Sequence, residues 1–134
     1  MHLVDTNVLS ELARPRPEPA VLRWFERQDA VALSVISIGE LAYGVARAPS
    51  ARRSRLATWF EVMLDAVERV LDVTPAIARA AGELRAARGK AGKPVAQADM
   101  LIAATALVHG LTLATRNIGD FEACGVVLID PFAP

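Results

Sequence analysis

Apolar residues occur along the chain as short continuous runs separated by longer stretches of helical spacing. The short runs predict strands at residues 3–4, 30–35, 70–73, 111–115 and 126–129. The intervening stretches predict helices at residues 8–13, 18–28, 37–47, 50–67, 75–88 and 97–109. Continuous apolar strands that alternate with helices are typical of a parallel sheet covered on both faces. We therefore expect an α/β fold, a three-layer α/β/α domain with a central parallel sheet of four to five strands.

Several predicted helix boundaries are marked by residues with a physical reason to lie there. Thr74 followed by Pro75 has the form of an N-cap with proline at the first helical position, and Gly110 closes the last long helix. Ser37 and Glu40 have the S-x-x-E spacing of a capping box. This spacing predicts that Ser37 is the N-cap of its helix and that Glu40 completes the box.

Composition limits the classes of protein that the chain can represent. Its 134 residues, 53% of them apolar, are enough for one compact domain with one active site. No apolar run approaches the length of a membrane span and the N-terminal residues lack a secretory pattern, so we expect a cytoplasmic protein. Cys124 is the only cysteine and is expected to be a buried hydrophobic residue. With only two histidines, a zinc cluster of thiolates and imidazoles is excluded.

The formal net charge is zero, which argues against nucleic-acid binding through an overall positive field. A polyanion would have to be bound by local groups instead. The basic residues are nearly all arginines, whose planar guanidinium suits bidentate phosphate contacts.

Polar residues follow the predicted strands at the points where the strands end. Because the carboxyl ends of parallel strands meet at one edge of the sheet, residues distant in sequence should meet in one pocket. The residues concerned are Asp5, Glu40, Asp99, Asn117 and Asp120. Crowded carboxylates require a neutralising cation, and oxygen ligands without cysteine or histidine favour Mg²⁺ or Mn²⁺. Such ions in proteins support phosphodiester hydrolysis.

Each acid also has a purely structural interpretation. Glu40 could serve only the capping box, Asp99 could be favoured by the helix dipole, and Asp120 could be a turn residue. Asp5 is harder to explain in this way, because an aspartate at the end of an apolar strand is poorly placed without a partner.

Four segments of the chain resemble the successive motifs of the VapC toxins of the PIN-domain family, in family order and at family spacing. The similarity is greatest to the FitB-like branch, and it includes the closing pattern at 126–132. It covers nearly the whole chain and implies a single PIN domain over residues 1–134. The four segments are Leu3-Val4-Asp5-Thr6-Asn7-Val8-Leu9-Ser10-Glu11, Ser37-Ile38-Gly39-Glu40-Leu41-Ala42-Tyr43-Gly44-Val45, Ala98-Asp99-Met100-Leu101-Ile102-Ala103-Ala104-Thr105-Ala106 and Leu113-Ala114-Thr115-Arg116-Asn117.

The resemblance implies roles for individual residues. Asp5, Glu40 and Asp99 would be the core metal ligands. At the fourth motif Asn117 stands where some members of the family have aspartate, and Asp120 follows one helical turn later. Either could bind a second metal, directly or through water, so a site with one metal remains open. Residues expected to orient the carboxylates or the substrate are Thr6, Asn7, Thr115 and Arg116.

The resemblance further implies the toxin component of a type II toxin–antitoxin system. Its activity would be that of an endoribonuclease dependent on Mg²⁺ or Mn²⁺, inhibited by a cognate VapB-type antitoxin. Homodimers would pair into larger complexes, and promoter DNA would be bound only through the antitoxin. Two basic groups could guide RNA, or could simply be solvated surface. They are Arg47, Arg52, Arg53 and Arg55, and Arg85, Arg88, Lys90 and Lys93.

Other functions fit the residues less well. A non-catalytic PIN-like binding module that acts through a protein partner is the main alternative, although none of the three core acids is replaced by an apolar residue. A phosphoryl-handling enzyme with Asp5 as nucleophile would need a second aspartate where Asn7 stands. Neither a dinucleotide-binding nor a P-loop motif is present in the sequence.

Overall fold

In the computed structural model, which describes residues 1–133, five strands form one parallel sheet in the order β3-β2-β1-β4-β5. The first strand is central, because His2 pairs with Val31 on one side and with Thr112 on the other. The predicted fold class and the predicted number of strands are confirmed. The strands are β1 (His2–Val4), β2 (Val31–Ser34), β3 (Arg69–Leu71), β4 (Thr112–Ala114) and β5 (Leu128–Ile129).

Helices connect the strands and cover both faces of the sheet. They are α1 (Thr6–Leu12), α2 (Pro19–Glu26), α3 (Val35–Arg47), α4 (Ser50–Ala66), α5 (Pro75–Lys90), α6 (Gln97–His109) and α7 (Ile118–Phe121). A 3-10 turn at Glu122–Cys124 follows α7 directly. The sequence pattern did not predict α7, whose four residues are too few to show helical periodicity. Among residues 1–133 no helix is long and apolar enough to cross a membrane.

Alternating side chains of the central strands enter two separate cores. Leu3 of β1 packs on one face with Ile77 of α5 and Met100 of α6. Val4, the next residue, packs on the opposite face with Val8 of α1 and with the helices that follow in the first half of the chain. Cys124 is buried in the first core, as predicted.

The start of α3 differs from the prediction. Ser34, the last residue of β2, has extended backbone geometry, and its Oγ accepts a hydrogen bond of 3.0 Å from the Ile36 backbone N–H. Ser34 is therefore the N-cap, and the interpretation of Ser37 and Glu40 as a capping box is wrong. The helix begins earlier because β2 passes into it without an intervening loop. As a consequence, Glu40 lies beyond the first turn and its carboxylate is available for other contacts.

Candidate active site

Asp5 lies directly after β1 and is the N-cap of α1, with 3% of its surface exposed. One carboxylate oxygen, Oδ1, accepts a hydrogen bond of 2.8 Å from the Thr6 backbone N–H. The other, Oδ2, accepts bonds from Thr115 Oγ1 at 2.8 Å and from Asn7 Nδ2 at 3.2 Å. Residues from the two ends of the chain thus fix the orientation of this carboxylate, because β1 and β4 are neighbouring strands.

Thr6 connects the first helix to Glu40. Its Oγ1 lies 2.6 Å from Glu40 Oε1 and 2.9 Å from Ser37 Oγ. A hydroxyl carries one proton, so Thr6 donates to the carboxylate and accepts from Ser37. Ser37 is fully buried and was expected only to cap the helix. Its contribution to the site could not be recognised from the sequence, because it depends on the packing of α1 against α3.

The segment after β4 is held against the segment after β1. Asn7 Oδ1 accepts a hydrogen bond of 3.2 Å from the Arg116 backbone N–H, and Asn7 Nδ2 lies 3.4 Å from Thr115 Oγ1. The Asn117 backbone N–H donates to Thr115 Oγ1 at 3.1 Å. The Arg116 guanidinium does not face this cluster: it lies 4.5 Å from the centre of the Phe132 ring. Arg116 therefore contributes its backbone to the site and its side chain to packing.

Asp99 is half-buried in the first turn of α6, where the helix dipole favours an acidic side chain. Its pKa is nevertheless raised to about 6, mainly by burial and also by the negative charges of Asp5, Asp120 and Glu40. Burial also raises the pKa of Asp5, as do the charges of Glu40 and Asp120, although hydrogen bonds from Thr115 and Thr6 oppose this shift. The four acids therefore form one electrostatically coupled cluster.

These side chains line a pocket with a volume of about 240 Å³ at the carboxyl edge of the sheet. Asp120, in the first turn of α7, is close enough to influence two of the acids but is not part of the lining. Ser10 belongs to the lining, although it was not among the site residues predicted from the sequence. It lies one helical turn after Thr6, and this spacing could have identified it. The lining residues are Asp5, Thr6, Asn7, Ser10, Glu40, Asp99 and Asn117.

The pocket fits a hard divalent cation that keeps much of its water. Its donors are carboxylate, amide and hydroxyl oxygens, the set that Mg²⁺ and Mn²⁺ prefer. The acids repel one another, and a bound cation would reduce this repulsion. Within residues 1–133 no three histidine, cysteine or acidic side chains lie close enough together to hold a metal ion by themselves. A cation in this pocket would therefore keep several waters, and some of its contacts with the protein would be made through water.

A larger cavity of about 640 Å³ lies between α2 and the segment that follows β5. Its lining includes Arg23, Trp24 and Asp130 but none of the clustered acids. Because the clustered acids line only the smaller pocket, that pocket is the better candidate for an active site.

The structure gives internal roles to several basic residues that were considered for RNA contact. Arg53 donates two hydrogen bonds to the Ala48 carbonyl, and Arg55 donates one to the Ala13 carbonyl. Arg88 is only 8% exposed in the last turn of α5, and its Nη2 lies 3.5 Å from the Gly119 carbonyl. Arg88 therefore lies neither on a solvated surface nor where it could guide RNA, because α5 carries this side chain inward.

The chain is similar to known proteins over its full length. The family model described as PIN domain matches residues 2–124. A VapC ribonuclease from Sinorhizobium fredii is 38% identical, with 100% of this chain and 99% of that protein covered. Toxin FitB from Neisseria gonorrhoeae is 34% identical, with 98% of this chain and 99% of that protein covered.

Solved structures show similarity over nearly the full length of the chain as well. A chain in the crystal structure of FitAcB from Neisseria gonorrhoeae superposes with a TM-score of 0.91, with 36% identity and 100% of both chains covered. A chain in the crystal structure of DNA-bound VapBC from Salmonella typhimurium superposes with a TM-score of 0.83, with 28% identity and 97% of both chains covered.

Proposed function

Because the chain belongs to the PIN-domain family, we propose that it is the ribonuclease toxin of a type II toxin–antitoxin system. Residues 1–134 would form a single PIN domain that hydrolyses RNA phosphodiester bonds with Mg²⁺ or Mn²⁺. The observation that carries this proposal is the meeting of Asp5, Glu40 and Asp99 in one pocket. The curated relatives named ribonuclease, endonuclease and toxin support the same assignment.

In this proposal Asp5, Glu40 and Asp99 hold the cation. Asn117 or Asp120 completes a second, weaker metal site. A bound divalent cation supplies positive charge that neutralises the phosphate and lowers the pKa of water. Thr115, Asn7 and Thr6 keep the first acid in one orientation through the hydrogen bonds described above. Thr6 also holds Glu40 towards the pocket.

The protein partner in this proposal is a VapB-type antitoxin. Similar chains occur in FitAB and VapBC complexes, some of which contain DNA. An apolar groove of about 200 Å³ between α1, α3 and α4 adjoins the acidic pocket, and Glu40 lines both. At Trp59 it meets a second apolar groove of about 300 Å³. A helix or extended tail of the antitoxin would fill these grooves, with the toxin as a homodimer and promoter DNA bound through the antitoxin.

The first experiment is cleavage of end-labelled structured RNA by purified protein free of antitoxin, with Mg²⁺, Mn²⁺ or EDTA. Asp5→Asn and Asp99→Asn are compared with Asp65→Asn, which changes an exposed acid at the end of α4. We expect the two pocket variants to lose at least about 100-fold in rate, since removing one preorganised electrostatic group commonly costs that much. The Asp65 variant and wild type should cut equally, and only when the metal is present.

Cleavage that survives in both pocket variants would exclude this site as the source of the activity. If folded wild type cuts no RNA with either metal, the alternative of a non-catalytic module acting through its partner replaces the nuclease.

A further inference from the structure

Tyr43 and Arg47 form a stacked pair on the outer surface of α3. Tyr43 is 62% exposed, although it is a large aromatic residue. The Arg47 guanidinium carbon lies 5.4 Å from the centre of the Tyr43 ring, and Arg47 Nη1 donates to Tyr43 Oη at 2.9 Å. The pair is therefore held in one arrangement in the free protein while most of the tyrosine remains in solvent.

The pair lies on the same face of the helix as Glu40. Tyr43 and Arg47 follow Glu40 by three and seven residues, which places them about 4.5 Å and about 10.5 Å farther along the helix axis. Ile36, one turn before Glu40 on this face, packs into the core that contains Met100 of α6. This face therefore starts beside the helix that carries Asp99 and extends outward from the acidic pocket.

The apolar groove lies on the other flank of α3. Leu41, Gly44 and Val45 line it, whereas Tyr43 and Arg47 do not. Glu40 and Ser10 line both this groove and the acidic pocket. A bound polymer that extends from the acidic pocket over Tyr43 thus does not enter the groove.

Arg47 keeps its charge available for a ligand. Among residues 1–133 it forms no ion pair with an acidic side chain. In contrast, Arg53 and Arg55, which belong to the same basic group, donate hydrogen bonds to backbone carbonyls. Since the net charge of the chain is zero, binding of a polyanion depends on such local cations.

We propose that Tyr43 and Arg47 form a subsite for single-stranded RNA next to the acidic pocket, with a base stacked on Tyr43 and its phosphate bound by Arg47. Unpaired bases stack on aromatic side chains, and arginine binds phosphate through its planar guanidinium. The inference rests on the proposed function, because it assumes that RNA occupies the acidic pocket. It adds that single-stranded segments are selected over duplexes, whose bases cannot stack on a protein ring.

The test compares Tyr43→Ala, Tyr43→Phe and Arg47→Ala with Val108→Ala, which changes a residue that is 50% exposed on α6. Two measurements are made on the purified full chain. One is the Kd for a fluorescent single-stranded oligoribonucleotide in EDTA, and the other is kcat and KM for its cleavage with Mg²⁺ or Mn²⁺.

We expect Tyr43→Ala and Arg47→Ala to raise Kd and KM about tenfold, the size expected for one lost stacked base, with kcat changed less than about twofold. Tyr43→Phe keeps the ring and should bind nearly as well as wild type. Val108→Ala should match wild type in Kd, KM and kcat. Binding of duplex RNA should change little in any variant.

If Tyr43→Ala binds RNA as well as wild type does, the subsite is overturned. The same conclusion holds if this variant weakens the complex with the antitoxin but not RNA binding. In that case cleavage by wild type would still support the proposed function. If wild type cuts no RNA but binds single strands in a manner that depends on Tyr43, the nuclease proposal fails and the subsite stands.

Discussion

Hydrogen bonds and burial act in opposite directions on the buried acid at the centre of the pocket. Asp5 accepts bonds from a backbone N–H, a hydroxyl and an amide, all of which favour its charged form. Burial and two neighbouring acids nevertheless raise its pKa above the ordinary value. Local groups therefore orient the carboxylate without supplying the positive charge that the cluster needs.

At the same scale, the raised pKa of Asp99 predicts how stability depends on pH without metal. With a pKa of about 6 when folded and an ordinary value of 3.8, Asp99 binds its proton more tightly in the folded protein. The stability that this proton provides is present below about pH 4 and is lost as the pH rises through about 6. We therefore expect Asp99→Asn to be more stable than wild type in EDTA at pH 7, with the difference shrinking towards pH 4.

The measurement is the free energy of unfolding by urea at several pH values from 4 to 7.5, with Glu61→Gln on the exposed face of α4 as the control. The control should run parallel to wild type. Adding Mg²⁺ at pH 7 should stabilise wild type and leave Asp99→Asn almost unchanged. A difference between Asp99→Asn and wild type that does not vary with pH would contradict the electrostatic explanation.

At the scale of the elements, apolar periodicity predicted the order and type of the strands and of the longer helices. The parallel connections then explain why Asp5, Glu40 and Asp99 meet at one edge. Periodicity did not predict α7, which spans only Ile118–Phe121. The sequence motif also placed the cap of α3 at Ser37 instead of Ser34, because the position of the cap depends on where β2 ends.

The contacts of these serines distinguish their roles by experiment. Ser34→Ala removes the bond to the Ile36 N–H and should lower the free energy of unfolding by about 1 kcal/mol, with cleavage retained. Ser34→Gly should lose less, because glycine is a tolerable N-cap. Ser37→Ala instead removes the partner of Thr6 and should reduce cleavage.

Urea unfolding and RNA cleavage, measured on all three variants, decide the matter. If Ser34→Ala is as stable as wild type while Ser37→Ala is not, the assignment of the cap is incorrect.

At the scale of the whole molecule, polar and apolar surfaces adjoin each other around one acid. Glu40 lines the acidic pocket and the apolar groove, so a ligand of the groove lies next to the pocket. Under the proposed function, a ligand of the groove would obstruct RNA without contacting every acid. This would be the physical basis for inhibition by a partner helix.

Leu56→Glu places a charge in that groove and should weaken binding of the antitoxin at least about tenfold, because burying an unpaired carboxylate is costly. Cleavage by the free toxin should remain close to that of wild type. Leu107→Glu, at a site that is 38% exposed on α6, is the matched control. Titration calorimetry with the antitoxin measures the effect, and equal affinity in both variants would place the partner elsewhere.

The position of β1 between β2 and β4 also determines when during synthesis the pocket can exist. A ribosome adds about 5–20 residues per second, so Thr115 is made several seconds after the aspartate that it holds. Until β4 emerges and pairs, Asp5 has neither this hydroxyl nor a complete sheet behind it. Under the proposed function, a nascent chain would therefore lack the complete site for most of its translation, and an inhibitor would be needed only for finished molecules.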